Sequence, residues 1–549
     1  MDVFNHVPTF SDAGPFVLLP AIIYGIYFLT SFGSRERGLP PGPPTKPLIG
    51  NLDIFPTGHI HLQFLQWAKI YGDVFSLKLM NKTMIILNNP TLVKEIIDKR
   101  SLSSSNRPKS IILDKLIPHN MNLGAGRFAN ETWRVLRKSS AQLLNADNFR
   151  NFKDYQYAEA TQLMWDLAQN PTEWYNHIHR YTTSFAMGIV YGKRSPSIYS
   201  SDMKEFFSTH HKFLHAMNID TMPPVDLFPV LNWVPEYLVQ WKKTVTDARI
   251  SHEALYYRLL STVRQRREEG RGNGCFLEQA LENSEEWGLT SDELLMNLGA
   301  VLIQGSDTSS AAMQNLLLCL VAFPDAQAKA REEIDKVVGS ERAPRWDDLV
   351  NLPYTMALVE EANRFRPVGP LGLPHEMVRD EVVDGFLYPK DAVVWINIYA
   401  IFHDERYFDK PNEFIPERFL KHPYGVMEAV LDDPARRANL FFGGGRRVCP
   451  GITFAKSSLE LNLVNLVWAF NLLPSKDPIT GCEVLPNLDD YSTGVTATPK
   501  PTPVRIELRS EKHMQVMTHQ FATVAEVLAP YEQELSQEDA HLLKEARNF

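Results

Sequence analysis

Hydrophobic and polar positions follow several different rhythms along this chain, and each rhythm predicts a different element. Residues 13–34 carry no charge, and their eighteen-residue apolar part reads PFVLLPAIIYGIYFLTSF. At 1.5 Å per residue such a stretch spans about 27 Å as a helix, close to the hydrocarbon thickness of a bilayer. Asp2 and Asp12 precede it while Arg35 and Arg37 follow it, which predicts an uncleaved anchor with the bulk of the chain cytoplasmic. A cleaved signal peptide fits less well, because there is no basic leader and no A-x-A site after the apolar run. GLPPGPPTKPLIGN, Gly38 to Asn51, then reads as a stiff, extended spacer, since proline fixes φ and removes a donor. YGDVFSLKL and KTMIILNNP alternate as two strands of a hairpin, with MNK between them.

Most of Thr91–Val350 has a helical rhythm punctuated by proline and glycine. Within it, Ser291 to Phe323 contains no proline, is apolar nearly all round, and starts at a capping box of Thr290 and Glu293. That describes one long helix at the centre of a large protein. Its middle, QGSDTSS from Gln304 to Ser310, breaks the pattern. Gly305 costs about 1 kcal/mol relative to alanine in a helix interior, and Asp307 costs more unless it finds a partner. Residues from 511 onward read as one or two amphipathic helices interrupted at Pro530. The fold class is therefore mainly α with smaller β-sheet regions, an α+β chain.

Composition changes this picture little. The 549 residues are 44% hydrophobic and 22% charged, ordinary for a folded enzyme. A net charge of −9 argues against a general nucleic-acid binder. Residues 511–549 hold seven acids against three bases, about half of that charge. Only Cys275, Cys319, Cys449 and Cys482 are present and no C-x-x-C occurs, so zinc ribbons and dithiol redox motifs are excluded. So few cysteines indicate reducing surroundings. Three of them read as inert small hydrophobes; only Cys449 has unusual neighbours.

Those neighbours are Phe442, Gly445, Arg447 and Gly451, in the pattern F-x-x-G-x-R-x-C-x-G within LFFGGGRRVCPGITFAK. A loop of this kind can hold a thiolate beneath a flat macrocycle. Glycines let the backbone fold tightly around the sulfur, and Arg447 can reach an acidic substituent at the ring edge. A helix starting at about Gly451 aims its N-terminus at the sulfur and favours the ionised form. Trp133 and Arg137, at i and i+4, share one helix face and can supply a donor and a cation to the same anionic edge. Glu361 and Arg364, at i and i+3, form a second pair, and Arg418 sits in FIPERFL.

FFGGGRRVCPG, EANR, PERF, TWRVLR and QGSDTS occur here in the order and spacing of the cytochrome P450 haem-thiolate monooxygenases. The resemblance runs from the anchor and proline hinge to about residue 510. LPPGPPTKPLIGN and GRRVCPG look most like eukaryotic microsomal members, and in particular the fungal enzymes that tailor secondary metabolites. The resemblance implies the cytochrome P450 fold behind a single N-terminal transmembrane helix. It divides the chain into an anchor (1–37), a hinge (38–51), a catalytic domain (52–510) and an acidic C-terminal extension (511–549).

It further implies haem b, iron protoporphyrin IX, with Cys449 as axial ligand of the iron. Trp133, Arg137, Arg447 and His375 would hold the propionates, and Phe442, Gly445 and Gly451 would shape the ligand loop. Glu361, Arg364 and Arg418 match a buried ionic triad. Asp307 and Thr308 match an acid–alcohol pair that relays protons to dioxygen, and Gly305 would leave space beside the helix. Gln304 departs from the family pattern, which prefers Ala or Gly there. Substrate contacts are expected from the 213–235 region, Pro367 to Gly372 and Ser492 to Thr496. Met222 to Pro235 would dip into the bilayer or pack as a loop.

The implied function is an NADPH- and O2-dependent monooxygenase acting on a lipophilic small molecule. The alternative is a haem-thiolate isomerase, lyase or dehydratase that needs no reductase. No G-x-G-x-x-G fingerprint occurs between strand and helix, so electrons would come from a separate NADPH-cytochrome reductase, with cytochrome b5 as an optional second donor. Arg134, Lys138 and Arg446 are the candidate docking charges. The implied location is the endoplasmic reticulum membrane, single-pass, in contact with lipid and with no nucleic-acid partner.

Overall fold

The computed structural model describes residues 31–218, 221–430, 439–494 and 496–547, together with Pro20 and Gly25. The apolar run expected as an anchor lies, apart from Pro20, Gly25 and the positions from Ser31, outside the described residues. Among the described residues no helix is long and apolar enough to cross a membrane.

The helices that shape the site are α1 (Ile60–Tyr71), α2 (Glu131–Leu143), α3 (Ala146–Gln169), α4 (Trp174–Tyr191), α5 (Ser201–Met217), α6 (Gln240–Glu268), α7 (Asp292–Ile303), α8 (Gly305–Ala322), α9 (Pro353–Phe365), α10 (Ile452–Ala469), α11 (Glu511–Leu528) and α12 (Gln537–Ala546). The strands are β1 (Val74–Leu79), β2 (Lys82–Leu87), β3 (His375–Glu376), β4 (Glu381–Val383), β5 (Phe386–Tyr388), β6 (Val393–Ile396), β7 (Phe470–Lys476), β8 (Glu483–Val484) and β9 (Val504–Leu508). They form a sheet in the order β1-β2-β6-β3, a β4-β5 hairpin and a sheet in the order β8-β7-β9. The expected hairpin is β1 against β2, in a register that pairs Leu79 with Lys82.

Side chains start many of these helices. Asn130, Asn145 and Ser510 accept from backbone N–H groups in the first turns of α2, α3 and α11. At α7 the cap is Ser291, which accepts from Leu294 N, and not Thr290. The proline spacer is held along β1. Ser76 N donates to Pro41 O at 2.7 Å, its hydroxyl to Pro40 O at 2.6 Å, and Asn51 to Pro44 O at 2.9 Å.

The central helix is not continuous. It breaks at Gln304 into α7 and α8, and Asp307 N reaches back only three residues, to Gln304 O at 3.3 Å. The Thr308 and Ser309 hydroxyls both donate to the Gly305 carbonyl, at 3.1 and 3.2 Å, and so compete for an acceptor the helix ladder would otherwise use. The apolar run concealed this local polar competition.

Residues 511–547 do not stand apart from the domain. α11 packs along α3 and buries Met517, Phe521, Val524 and Leu528. Trp165 stacks on Phe521 at 5.3 Å and Tyr155 on Tyr531 at 3.9 Å. The acids of this segment also serve buried cations. Glu532 pairs with Arg194 at 2.6 Å, and Glu534 lies 3.3 Å from Arg266.

Candidate active site

Cys449 lies in a loop whose shape comes from backbone constraints. Its N–H donates to Phe442 O at 2.9 Å, closing the loop on itself. Gly445 N donates to Asp98 at 2.7 Å. Gly445 has φ +57°, and a Cβ there would lie 2.2 Å from the Ile97 carbonyl oxygen, so only glycine fits. Gly451 is the N-cap of α10, which places the sulfur beside a helix start. Burial is the largest influence on the Cys449 thiol and pushes it up, while the Gly451 N–H and Arg137 pull it down. The helix start alone therefore does not ionise the sulfur; coordination to a metal does, because a coordinating thiol is deprotonated outright. Cys275 and Cys319 are buried with thiols pushed up to about 12, which makes them inert, and Cys482 is exposed.

Around this loop the structure gathers cations. Arg447 stacks over Trp133, 3.9 Å from its ring centroid. Its donors go to backbone carbonyls: Ser105 O at 2.7 Å, Gly126 O at 2.6 Å and Leu123 O at 3.4 Å. Arg137 donates to Val448 O at 2.7 Å. The Trp133 indole N–H donates to Leu123 O at 2.9 Å, so the donor expected for the anionic edge is already satisfied by backbone. His375, on β3, is buried with Nδ1 2.7 Å from Ser104 O.

One member was not foreseen. Arg107 is buried and donates to Gly124, Leu373 and Pro374 carbonyls, at 2.9, 2.8 and 2.6 Å. Its neighbour Asn106 makes an isolated bridge to Glu376, which sets Arg107 close to His375. Nothing in SSSNRPKS announces that; the pairing joins segments far apart in the chain.

Among the described residues no carboxylate pairs with Arg107, Arg137 or Arg447. Burial draws Arg107 down to about 9, and burial with the charges of Arg107 and Arg137 draws Arg447 down to about 8. Guanidinium groups keep their protons in proteins, so these depressions measure how strongly an anion would be attracted. Burial, and then Arg107 and Arg447, hold His375 well below its ordinary value, a neutral imidazole. An uncompensated cluster of three cations, two buried and Arg137 half-buried, beside a thiol loop fits a flat cofactor with anionic substituents.

The opposite wall is the α7–α8 break. Gly305 and Thr308 are exposed although Ile303, Ser306 and Ser310 around them are buried, and a Cβ on Gly305 would meet nothing within 4 Å. This turn therefore borders open space on the side that carries Gly305 and Thr308. α8 packs on α10, the helix that starts at the Cys449 loop, and α7 packs on α2. Gln304 turns toward Tyr256 of α6, whose hydroxyl it holds below the value burial alone would give.

Tyr491 donates to Asn315 of α8 at 2.5 Å, and Ala497 N donates to Val368 O at 2.7 Å. These contacts bring the Ser492–Thr496 turn beside Pro367–Gly372; Val495 lies outside the described residues. Met222 to Pro235 divides in two: Met222 and Val225 are buried, while Val230 and Trp233 are exposed, as are Tyr237 and Leu238 just beyond.

The ionic triad is assembled beneath. Glu361 accepts from Arg364 at 2.7 and 2.8 Å and lies 3.1 Å from Arg418 Nε, all three buried. Arg364 also donates to the Phe402, Pro411 and Glu413 carbonyls. Glu361→Ala leaves two buried guanidinium groups without their acid, which typically costs about 3–5 kcal/mol. The expected result is a lower denaturation midpoint and a lower ratio of Soret to protein absorbance, with unchanged product identity in the fraction that keeps haem.

A family model described as cytochrome P450 matches residues 40–487. A cytochrome P450 monooxygenase of Armillaria gallica is 39% identical over 519 residues, covering 94% of this chain and 98% of that protein. Cytochrome P450 monooxygenase acuD of Aspergillus aculeatus is 34% identical over 515 residues, 93% of this chain and 96% of that protein. Cytochrome P450 monooxygenase patI of Penicillium expansum is 33% identical over 537 residues, 97% of this chain and 100% of that protein. A match of that extent leaves most of residues 511–549 with a counterpart in patI.

Proposed function

The chain belongs to the cytochrome P450 family and is a haem-thiolate monooxygenase, and on that premise we propose that it oxidises a lipophilic small molecule of fungal secondary metabolism with electrons from a separate NADPH-dependent reductase. The observation that carries this reading is the Gly305–Thr308 turn, an acid and an alcohol on a broken helix that borders open space. Haem-thiolate isomerases and lyases often lack such a pair, whereas splitting dioxygen consumes two protons.

Bound haem b supplies the centre at which dioxygen is reduced. Cys449 would ligate its iron, and Arg107, Arg137 and Arg447 would neutralise the propionates. The Asp307 carboxylate stands next to Thr308, whose hydroxyl is fixed by the Gly305 carbonyl, and the pair would pass protons to the oxygen side. The exposed Arg134 and Arg446, each 5.9 Å from the Phe128 ring centroid, and the exposed Lys138 are proposed to receive the reductase. Exposed Val230, Trp233, Tyr237 and Leu238, with the uncharged run at 13–34, support residence at the endoplasmic reticulum membrane, catalytic domain cytoplasmic.

Two measurements test the reading. Purified protein, reduced and exposed to carbon monoxide, is expected to show the red-shifted Soret band of a thiolate-ligated haem. With reductase, NADPH and a panel of lipophilic candidates it is expected to form oxygenated product that carries label from dioxygen. Product that forms equally without NADPH would establish the isomerase or lyase reading instead.

A further inference from the structure

Asp307 faces His210 and His179, from two other helices, and His252 of a third lies near His210. His210 of α5 places Nε2 3.7 Å from Asp307 Oδ1. Neither ring nitrogen of His210 has a hydrogen-bond partner among the described residues, and the same holds for His252 of α6. His210 is held flat on Phe206, centroids 5.5 Å apart and planes 6° apart. His252 stacks on Phe213 at 5.6 Å and meets Tyr256 edge-on at 4.6 Å. On α4, His179 packs edge-on against Tyr175 at 5.1 Å and Phe207 at 5.6 Å.

The electrostatics of the group divide the labour. Burial is the largest influence on Asp307 and would raise its carboxyl, yet the nearby His210 and then His179 bring it below its ordinary value. Burial holds both His179 and His252 down to about 4, with the charge of His210 contributing to each. Tyr175 is pushed up to about 12 by burial and then by Asp307, and Tyr256 is raised by burial, so both phenols stay neutral. No lysine or arginine contributes to the Asp307 charge. The groups that act on the carboxylate are therefore imidazoles, with no permanent cation among them.

We propose that His210 is the proton donor that recharges Asp307 during turnover. This rests on the monooxygenase reading above. In each transfer the His210 Nε2–H bond breaks and an O–H bond forms at Asp307 Oδ1, the proton crossing the 3.7 Å gap through one water, and a proton from bulk water then restores the His210 N–H. The imidazolium becomes imidazole as the carboxylate becomes carboxylic acid, so the pocket's net charge does not change. Two such protons, two electrons from the reductase, dioxygen and a substrate C–H give one hydroxylated product and one water. An imidazole suits the post because it gains and loses a proton near neutral pH, as guanidinium and ammonium groups do not. His210 acts through Asp307, so its loss leaves haem and substrate binding in place.

The test uses the full-length, haem-loaded protein with reductase. His210→Phe keeps the stacking on Phe206 and removes both nitrogens. Its reduced carbon monoxide spectrum and substrate-induced Soret change are expected to match the parent. NADPH-driven product formation is expected to fall at least about tenfold, short of the full contribution of general acid catalysis because water substitutes in part. The diverted oxygen appears as hydrogen peroxide. Turnover driven by added hydrogen peroxide, which brings its own protons and electrons, stays at the parental rate.

A readout independent of turnover is the infrared carboxyl band of Asp307, identified by its loss in Asp307→Asn. Its titration midpoint is expected to move up in His210→Phe. His210→Gln keeps an N–H donor but cannot release a proton, and the same loss of coupling is expected. Parental coupling in either variant, or an unmoved carboxyl midpoint, overturns the proposal. Absence of NADPH-driven product from the parent would overturn the activity reading instead, and the carboxyl titration would still decide the His210–Asp307 coupling.

Discussion

Cys449→Ser is expected to abolish the red-shifted carbon monoxide band and to reduce NADPH-driven oxidation to background, while the polypeptide stays folded. The substitution is clean because backbone groups hold the loop. The Cys449 N–H to Phe442 O bond, the Gly445 N–H to Asp98 bond and the left-handed Gly445 all survive a change of one side-chain atom. What changes is the ligand. A thiolate is the metal-binding form of cysteine, and its formation is assisted here by the Gly451 N–H and Arg137. A serine hydroxyl stays protonated at the same position and gives the iron no comparable electron density. The cation cluster of Arg107, Arg137 and Arg447 is untouched, so residual haem is expected, held by its edge and spectrally unlike a thiolate complex. Oxidised product at the parental rate from this variant would overturn the cofactor assignment.

Local chemistry was legible in the sequence, and relations between distant segments were not. The shape of the Cys449 loop could be read because tight turning and the following helix act within one stretch. The hairpin was legible for the same reason. Arg107 could not be read, because its role depends on the Asn106–Glu376 bridge that only folding makes. Trp133 shares a face with Arg137 as its spacing implies, but the spacing could not reveal that Leu123 O takes the indole N–H. The continuous central helix was an error of scale. Apolar periodicity over Ser291–Phe323 outweighed the hydroxyls that compete for one carbonyl at Gly305. His210 sits in the helical run FFSTHHKFLH, where nothing local ties it to Asp307.

The segment after residue 510 shows the same limit with the largest consequence, because removing it is expected to prevent assembly of the haem protein. Met517, Phe521, Val524, Leu528 and Tyr531 recur at alternating steps of four and three and make one apolar stripe. The structure buries all five, with Phe521 and Leu528 fully enclosed. At about 1.5–3 kcal/mol per buried side chain the stripe contributes roughly 8–15 kcal/mol, as much as the net stability of a typical domain. A chain ending at Ser510 would expose the face of α3 around Trp165 and Tyr155.

It would also remove the acid that Arg194 shares with Glu159. Burial would raise the Glu159 carboxyl, but Arg194 and Arg180 hold it to about 2; Glu159 would then be the one carboxylate left to Arg194, while Arg180 keeps Asp166 at 2.8 Å. Phe521→Ala isolates the packing contribution and is expected to cost about 3–5 kcal/mol, read as a lower denaturation midpoint. Glu532→Gln isolates the charge. It leaves Arg194 with one carboxylate instead of two and should lower the midpoint less than Phe521→Ala does, because Arg194 keeps its 2.7 Å contact to Glu159. A truncation after Ser510 that yields soluble protein with the parental carbon monoxide spectrum and midpoint would show the segment to be an accessory. The buried stripe, and two cations whose acids it provides, make it the last layer of the core.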